Sequence, residues 1–100
     1  IQWHELDKEL ASGKILLDVR SPEELIINGQ FKQAIHIPLD DLRHRLSELD
    51  KKKDYIITCH SGLRSYIGER LLKQAGFKVQ NLDGAFALYQ AVKPEEIKHV

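Results

Sequence analysis

Tyr55-Ile56-Ile57-Thr58-Cys59-His60-Ser61-Gly62-Leu63-Arg64-Ser65 runs from an apolar strand pattern into a helix pattern carrying Ile67, Leu71 and Leu72. It holds the only cysteine of this 100-residue chain. A thiol on such a strand-to-helix turn faces backbone N–H groups that have no intrahelical acceptor, and the helix dipole adds partial positive charge there. An anion is stabilised at that position, whether thiolate, persulfide or oxyanion substrate. Gly62 permits backbone angles that turn successive N–H groups inward. Arg64 adds a permanent charge and a planar fork of donors suited to sulfonate or phosphate oxygens. The stretch therefore suits a nucleophile held in an anion cradle. A small, inert, buried cysteine at a strand end, with Gly62 as turn punctuation, fits the same local sequence equally well.

The surrounding pattern bears on that choice. Ile15-Leu16-Leu17-Asp18-Val19 is a short, nearly continuous apolar run, as expected of a buried parallel strand. Before it, Trp3, Leu6 and Leu10 have helical spacing, closed by Ser12-Gly13. After it, Ser21 reads as an N-cap, Pro22 as the first helical residue and Glu24 as the far member of a capping box. Asn28-Gly29 closes that helix, and Ala34-Ile35-His36-Ile37-Pro38 gives a strand stopped by proline. Asp40 or Asp41 is expected to cap the next helix, with Leu42, Leu46 and Leu49 on its apolar face. The helix after Cys59 is expected to end at Gly76, and Lys78 to Leu82 to form the last strand. Asp83-Gly84 then turns into a short helix with Phe86 and Tyr89, and Pro94 starts a helical tail. Strands alternating with helices predict an α/β fold with a parallel sheet covered on both faces. Ligands bind such sheets at the carboxyl ends of the strands, where Cys59 lies.

Composition narrows the function. There are 15 basic and 15 acidic residues, so formal net charge is zero and no electrostatic case exists for nucleic acid or an anionic membrane. No apolar run approaches the length of a membrane span. A single cysteine cannot form an intramolecular disulfide, so a reducing, cytoplasmic compartment is expected and any second thiol comes from outside. The five histidines show no metal spacing, so no metal is expected. The chain contains no methionine and opens at Ile1, which suggests a single domain, residues 1–100, excised from a longer protein.

Four segments in this order resemble a rhodanese domain: Asp18-Val19-Arg20 with Glu24, Gly29 to Pro38, Cys59 to Ser65, and Gly76 to Gly84. The resemblance covers roughly positions 3 to 92. It implies a rhodanese-like α/β fold, with a central parallel sheet of about five strands and helices on both faces. It also implies a sulfurtransferase without cofactor. The cysteine matching Cys59 would take sulfane sulfur from thiosulfate or a persulfide, hold it as a persulfide, and pass it to cyanide or a thiol. His60, Ser61, Gly62, Leu63 and Arg64 would form the active-site and substrate-binding loop, with Asp18, Arg20 and Ser65 in support. Four residues separate Cys59 from Arg64, as in sulfur-transferring members, whereas phosphatase and arsenate reductase relatives carry a longer loop. The chain is similar to rhodanese domains fused behind flavin-dependent CoA-disulfide or pyridine-nucleotide disulfide reductases. That implies a second function class, a persulfide carrier or docking module serving a fused or partner reductase. Asp18 and Arg20 also fit plain scaffolding, with Arg20 pairing to Glu24, and His36 fits a strand-end hydrogen-bonder.

Overall fold

The computed structural model describes residues 3–59, 63–82 and 97–98. The first strand, β1 (Ile15–Asp18), lies inside a parallel sheet with β3 (Ala34–His36), β4 (Asp54–Thr58) and β5 (Lys78–Asn81), in the order β3-β1-β4-β5. Register runs Leu17 beside Ile35 and Ile57, and Ile57 beside Asn81. The apolar runs alternate between two cores because successive side chains leave a strand on opposite faces. Leu17, Tyr55, Ile57 and Cys59 enter one core with Leu42 and Leu72, which come from α3 (Leu39–Leu42) and α4 (Leu63–Gln74). Leu16 and Ile56 enter the other with Leu6 of α1 (Leu6–Ala11) and with Phe31 and Leu82. Helices cover both faces, and Cys59 belongs to the α4 side.

Local signals formed as expected where they are self-contained. The helix α2 (Pro22–Asn28) begins with the full Ser21–Glu24 capping box and Pro22 at its first turn. It ends at Gly29, whose φ of 82° needs glycine. Gly76, at φ 93°, closes α4 in the same way.

Three expectations are corrected. Among the described residues the central sheet has four strands, slightly fewer than expected; β2 (Gln30–Phe31) and β6 (Ile97–Lys98) make a small antiparallel pair. A two-residue strand has no periodicity to read, and its partner comes from the far end of the chain. That pairing also overrules part of the helical tail expected from Pro94, because residues 97–98 are strand. Thirdly, neither Asp40 nor Asp41 caps α3: Pro38 precedes the helix, and both acids lie in its first turn. The helix then stops, and a separate 3₁₀ turn, Leu46–Glu48, follows. Leu42 and Leu49 still reach the core with Leu46 packed against it, so two short pieces satisfy the apolar spacing that suggested one helix. The Asp83-Gly84 turn and the expected helix with Phe86 and Tyr89 lie outside the described residues.

Candidate active site

Thr58 ends β4, and the chain leaves the sheet at Cys59, which is fully buried. The first turn of α4 returns to it: the Ser65 N–H donates to Cys59 Sγ at 3.3 Å. Such an N–H is one of those that a helix start leaves without an intrahelical acceptor. Ser65 is buried too, and its Oγ–H donates to Asn81 Oδ1 at 2.9 Å. Asn81 closes β5, beside Ile57 of β4. β4 and α4 thus meet at the sulfur, and β5 is tied to that turn through Asn81. Cys59 is a free cysteine, as a chain with one thiol requires.

Arg64 follows the expected geometry only in part. Its guanidinium lies within electrostatic reach of Cys59 and Asp18, but its hydrogen bonds go to Glu24. NH1 donates to Glu24 Oε1, and NH2 to Oε2 at 2.7 Å, a two-pronged pair across α2 and α4. The same carboxylate accepts from the Ser21 N–H at 3.1 Å and the Ser21 hydroxyl at 3.0 Å. Hydrogen bonds from Arg64, above all, hold the Glu24 carboxyl down at about 2. Reciprocally, the hydrogen bonds to Glu24 push Arg64 above the ordinary guanidinium range, with the Cys59 and Asp18 charges adding in the same direction.

Glu24 is therefore taken, and the Arg20–Glu24 pair expected from the sequence does not form. Arg20 instead grips Asp18, with NH2 to Oδ2 at 2.8 Å and Nε to Oδ1 at 3.1 Å. The Arg20 backbone N–H also donates to Asp18 Oδ1, and its NH2 to the Gly29 carbonyl, both buried. Removing two such charges from water costs several kcal/mol per ion unless they are paired and hydrogen-bonded, and here they are. The pair staples the end of β1 to the end of α2. His36 is a strand-end hydrogen-bonder as expected, with Nε2 at 2.7 Å from the Arg20 carbonyl.

Of the sequence-derived site residues, Cys59, Arg64 and Ser65 come together, with Asp18 near enough to act on Arg64 electrostatically. Leu63 opens α4 and is strongly exposed. His60, Ser61 and Gly62 lie outside the described residues. Sequence reasoning missed Asn81, because an asparagine at a strand end carries no motif. It also gave Glu24 a capping role and a pairing with Arg20 rather than with Arg64, which lies 40 positions away. No group of acidic, histidine or cysteine side chains among the described residues could hold a metal ion. No helix among them is long and apolar enough to cross a membrane.

Comparison with known proteins identifies the family. Residues 2–92 match the sequence profile of the rhodanese-like domain. A sulfurtransferase of Allochromatium vinosum is 36% identical over 89 residues, covering 81% of this chain and 82% of that protein. YtwF of Bacillus subtilis strain 168, whose sulfurtransferase name is itself provisional, is 37% identical over 92 residues, covering 91% and 84%. The crystal structure of reduced CoADR-RHD from Bacillus anthracis superposes with a TM-score of 0.92 at 48% identity, across 99% of this chain and 18% of that one. An NAD-dependent persulfide reductase from A. fulgidus superposes with a TM-score of 0.71 at 41% identity, across 89% and 15%. With a parallel sheet that ends in a cysteine turn, a profile match over nearly its whole length and relatives named for sulfur transfer, the chain belongs to the rhodanese-like family.

Proposed function

We propose that the domain is a sulfurtransferase in which Cys59 carries sulfane sulfur as a persulfide. The observation that carries this reading is the Ser65 N–H donated to Cys59 Sγ at the start of α4. A sulfur at that point sits where a helix presents partial positive charge, so negative charge that develops there during transfer is stabilised. In the forward step, the Cys59 thiolate attacks the outer sulfur of a donor such as thiosulfate. The new S–S bond forms as the bond to the sulfonate sulfur breaks, and sulfite leaves with the electron pair. In the second step an acceptor thiolate attacks the outer sulfur of the persulfide, and Cys59 leaves as thiolate. Both steps move a sulfur atom without external oxidant, consistent with a site that needs no cofactor. His60, Ser61, Gly62 and Leu63 would supply the loop around the sulfur. Arg64, oriented by Glu24, would present its remaining donors to the sulfonate. Asp18 and Arg20 would support the loop from the end of β1.

Incubation with thiosulfate is expected to add one sulfur atom to the intact mass, removable by a thiol and absent in Cys59→Ser. No mass gain with thiosulfate or any other sulfane donor would sink the reading.

A second reading has its own support. This chain covers 18% and 15% of the lengths of two of its structural neighbours, CoADR-RHD and the persulfide reductase. The domain would then be one unit, residues 1–100, of a longer cytoplasmic protein, handing its persulfide to a disulfide reductase. Transfer to such a reductase would outpace transfer to cyanide or free thiols, and equal rates would remove the case for it.

A further inference from the structure

Six large apolar side chains are exposed among the described residues, and five of them lie on two helices. Ile26 and Ile27, 65% and 75% exposed, are on α2; Leu63, Tyr66 and Ile67, at 70%, 49% and 50%, are on α4. The Glu24–Arg64 ion pair joins these two helices. Leu63 is the first residue of α4 after the cysteine turn, and Tyr66, Ile67 and Arg70 follow at helical spacing. Exposed apolar surface gathered into one patch marks an interaction site, whereas scattered exposure is ordinary.

The same stripe borders a groove of about 250 Å³ lined by Arg43, Tyr66, Ile67, Arg70, Leu71 and Gln74. Neither Arg43 nor Arg70 forms an ion pair among the described residues, and the groove lining contains no carboxylate. One acid, Asp40, lies in the adjoining groove with Leu39 and His44. Arginine and tyrosine around an apolar centre is the composition that concentrates binding energy at protein interfaces. The two cations select what can sit there. A second copy docked about a two-fold axis through this groove would set Arg43 and Arg70 against themselves. With formal net charge zero, the chain as a whole attracts neither membrane nor nucleic acid.

We propose that the α4 face from Leu63 to Gln74, with Arg43, is the docking surface for the protein that receives sulfur from Cys59, and that this partner presents apolar side chains flanked by carboxylates. The occupant brings its thiol to the start of α4, where Cys59 is bonded to Ser65. The proposal rests on the persulfide reading for what is transferred, but the surface itself is testable without it.

Two synthetic amphipathic peptides test it, sharing one apolar sequence and one terminal cysteine, with glutamates along the polar edge in the first and lysines in the second. By fluorescence anisotropy, with the peptide thiols blocked, the glutamate peptide is expected to bind about ten-fold more tightly or better, with the margin shrinking as salt is raised. The double substitution Arg43→Glu with Arg70→Glu is expected to reverse the preference, and Tyr66→Ser to weaken both peptides. Equal binding, no binding, a lysine preference in the wild type, or self-association abolished by Tyr66→Ser would each overturn the proposal. With the peptide thiols free, protein treated with thiosulfate is then followed by mass. Failure of Cys59 to take up sulfur counts against the persulfide reading alone, because the binding result stands independently.

Discussion

Ser65 serves two partners at once: its backbone N–H reaches Cys59 Sγ and its hydroxyl reaches Asn81 Oδ1. The hydroxyl bond fixes the first turn of α4 against the end of β5, and that turn aims the N–H. In the sulfurtransferase reading proposed above, Asn81 would be a positioning residue acting through Ser65. Asn81→Ala and Ser65→Ala are each expected to slow persulfide formation about ten-fold, the size of one well-placed hydrogen bond. The double variant should be no slower than either single one, because the two changes break one link. Ser65→Thr, which keeps the hydroxyl, should recover most of the rate. Stopped persulfide-formation assays beside melting curves check this; independent, multiplying losses, or losses that merely follow melting temperature, would refute it. At this scale the nearness of Cys59 and Arg64 was legible because both lie in one stretch of sequence. Asn81 and the Arg64 side of Glu24 were not, because a hydrogen bond between distant positions leaves no mark on either neighbourhood.

The elements divide in the same way. The capping box of α2 was readable because every group it needs lies within four consecutive residues, from Ser21 to Glu24. The break between α3 and the 3₁₀ turn at Leu46–Glu48 was not, since apolar spacing alone allows one helix or two pieces. Gly68 in the middle of α4 is a further case. Helix propensity favours alanine there by about 1 kcal/mol. An added Cβ would lie 2.6 Å from Ile57 Cδ1 and 3.5 Å from Leu42 Cδ2, however, so glycine is what lets α4 lie close on β4. Ile57 is fully buried and has little room to yield. Overpacking of this kind costs about 1–3 kcal/mol, so Gly68→Ala is expected to destabilise by about 1 kcal/mol net. Urea unfolding would measure it, and a gain in stability would show that the helix is not seated on Ile57 as described.

Across the whole molecule, ion pairs hold the carboxyl end of the sheet together. Asp18–Arg20 joins β1 to α2, and Glu24–Arg64 joins α2 to α4. Glu24 has an ordinary carboxyl value of 4.5 and is held at about 2 in the fold. Because the folded value is the lower one, its stabilisation is fully present above about pH 4.5 and is lost as pH falls towards 2. The pair is partly open to solvent, so the contribution is on the order of 1–2 kcal/mol. Melting temperatures of the wild type and Glu24→Gln should differ at neutral pH and converge through that acid window. A gap that stays constant down to pH 2 would mean that the pair does not stabilise the fold.

What the sequence determined by itself was the order of the central strands β1, β3, β4 and β5, the parallel α/β class and the position of the thiol at a strand end. These follow from periodicity, turn residues and caps, all of which act over a few neighbouring residues. Tertiary structure decided the pairing of β2 with β6, the exchange of Arg20 for Arg64 as the partner of Glu24, and the hydrogen bond that ties Ser65 to Asn81. Each of those depends on which distant groups the packed sheet brings within hydrogen-bonding reach, and burial then leaves a charge or donor only the partners it finds there. The cysteine turn was readable as a place for a nucleophile; the backbone N–H and the strand-end amide that hold it came with the fold.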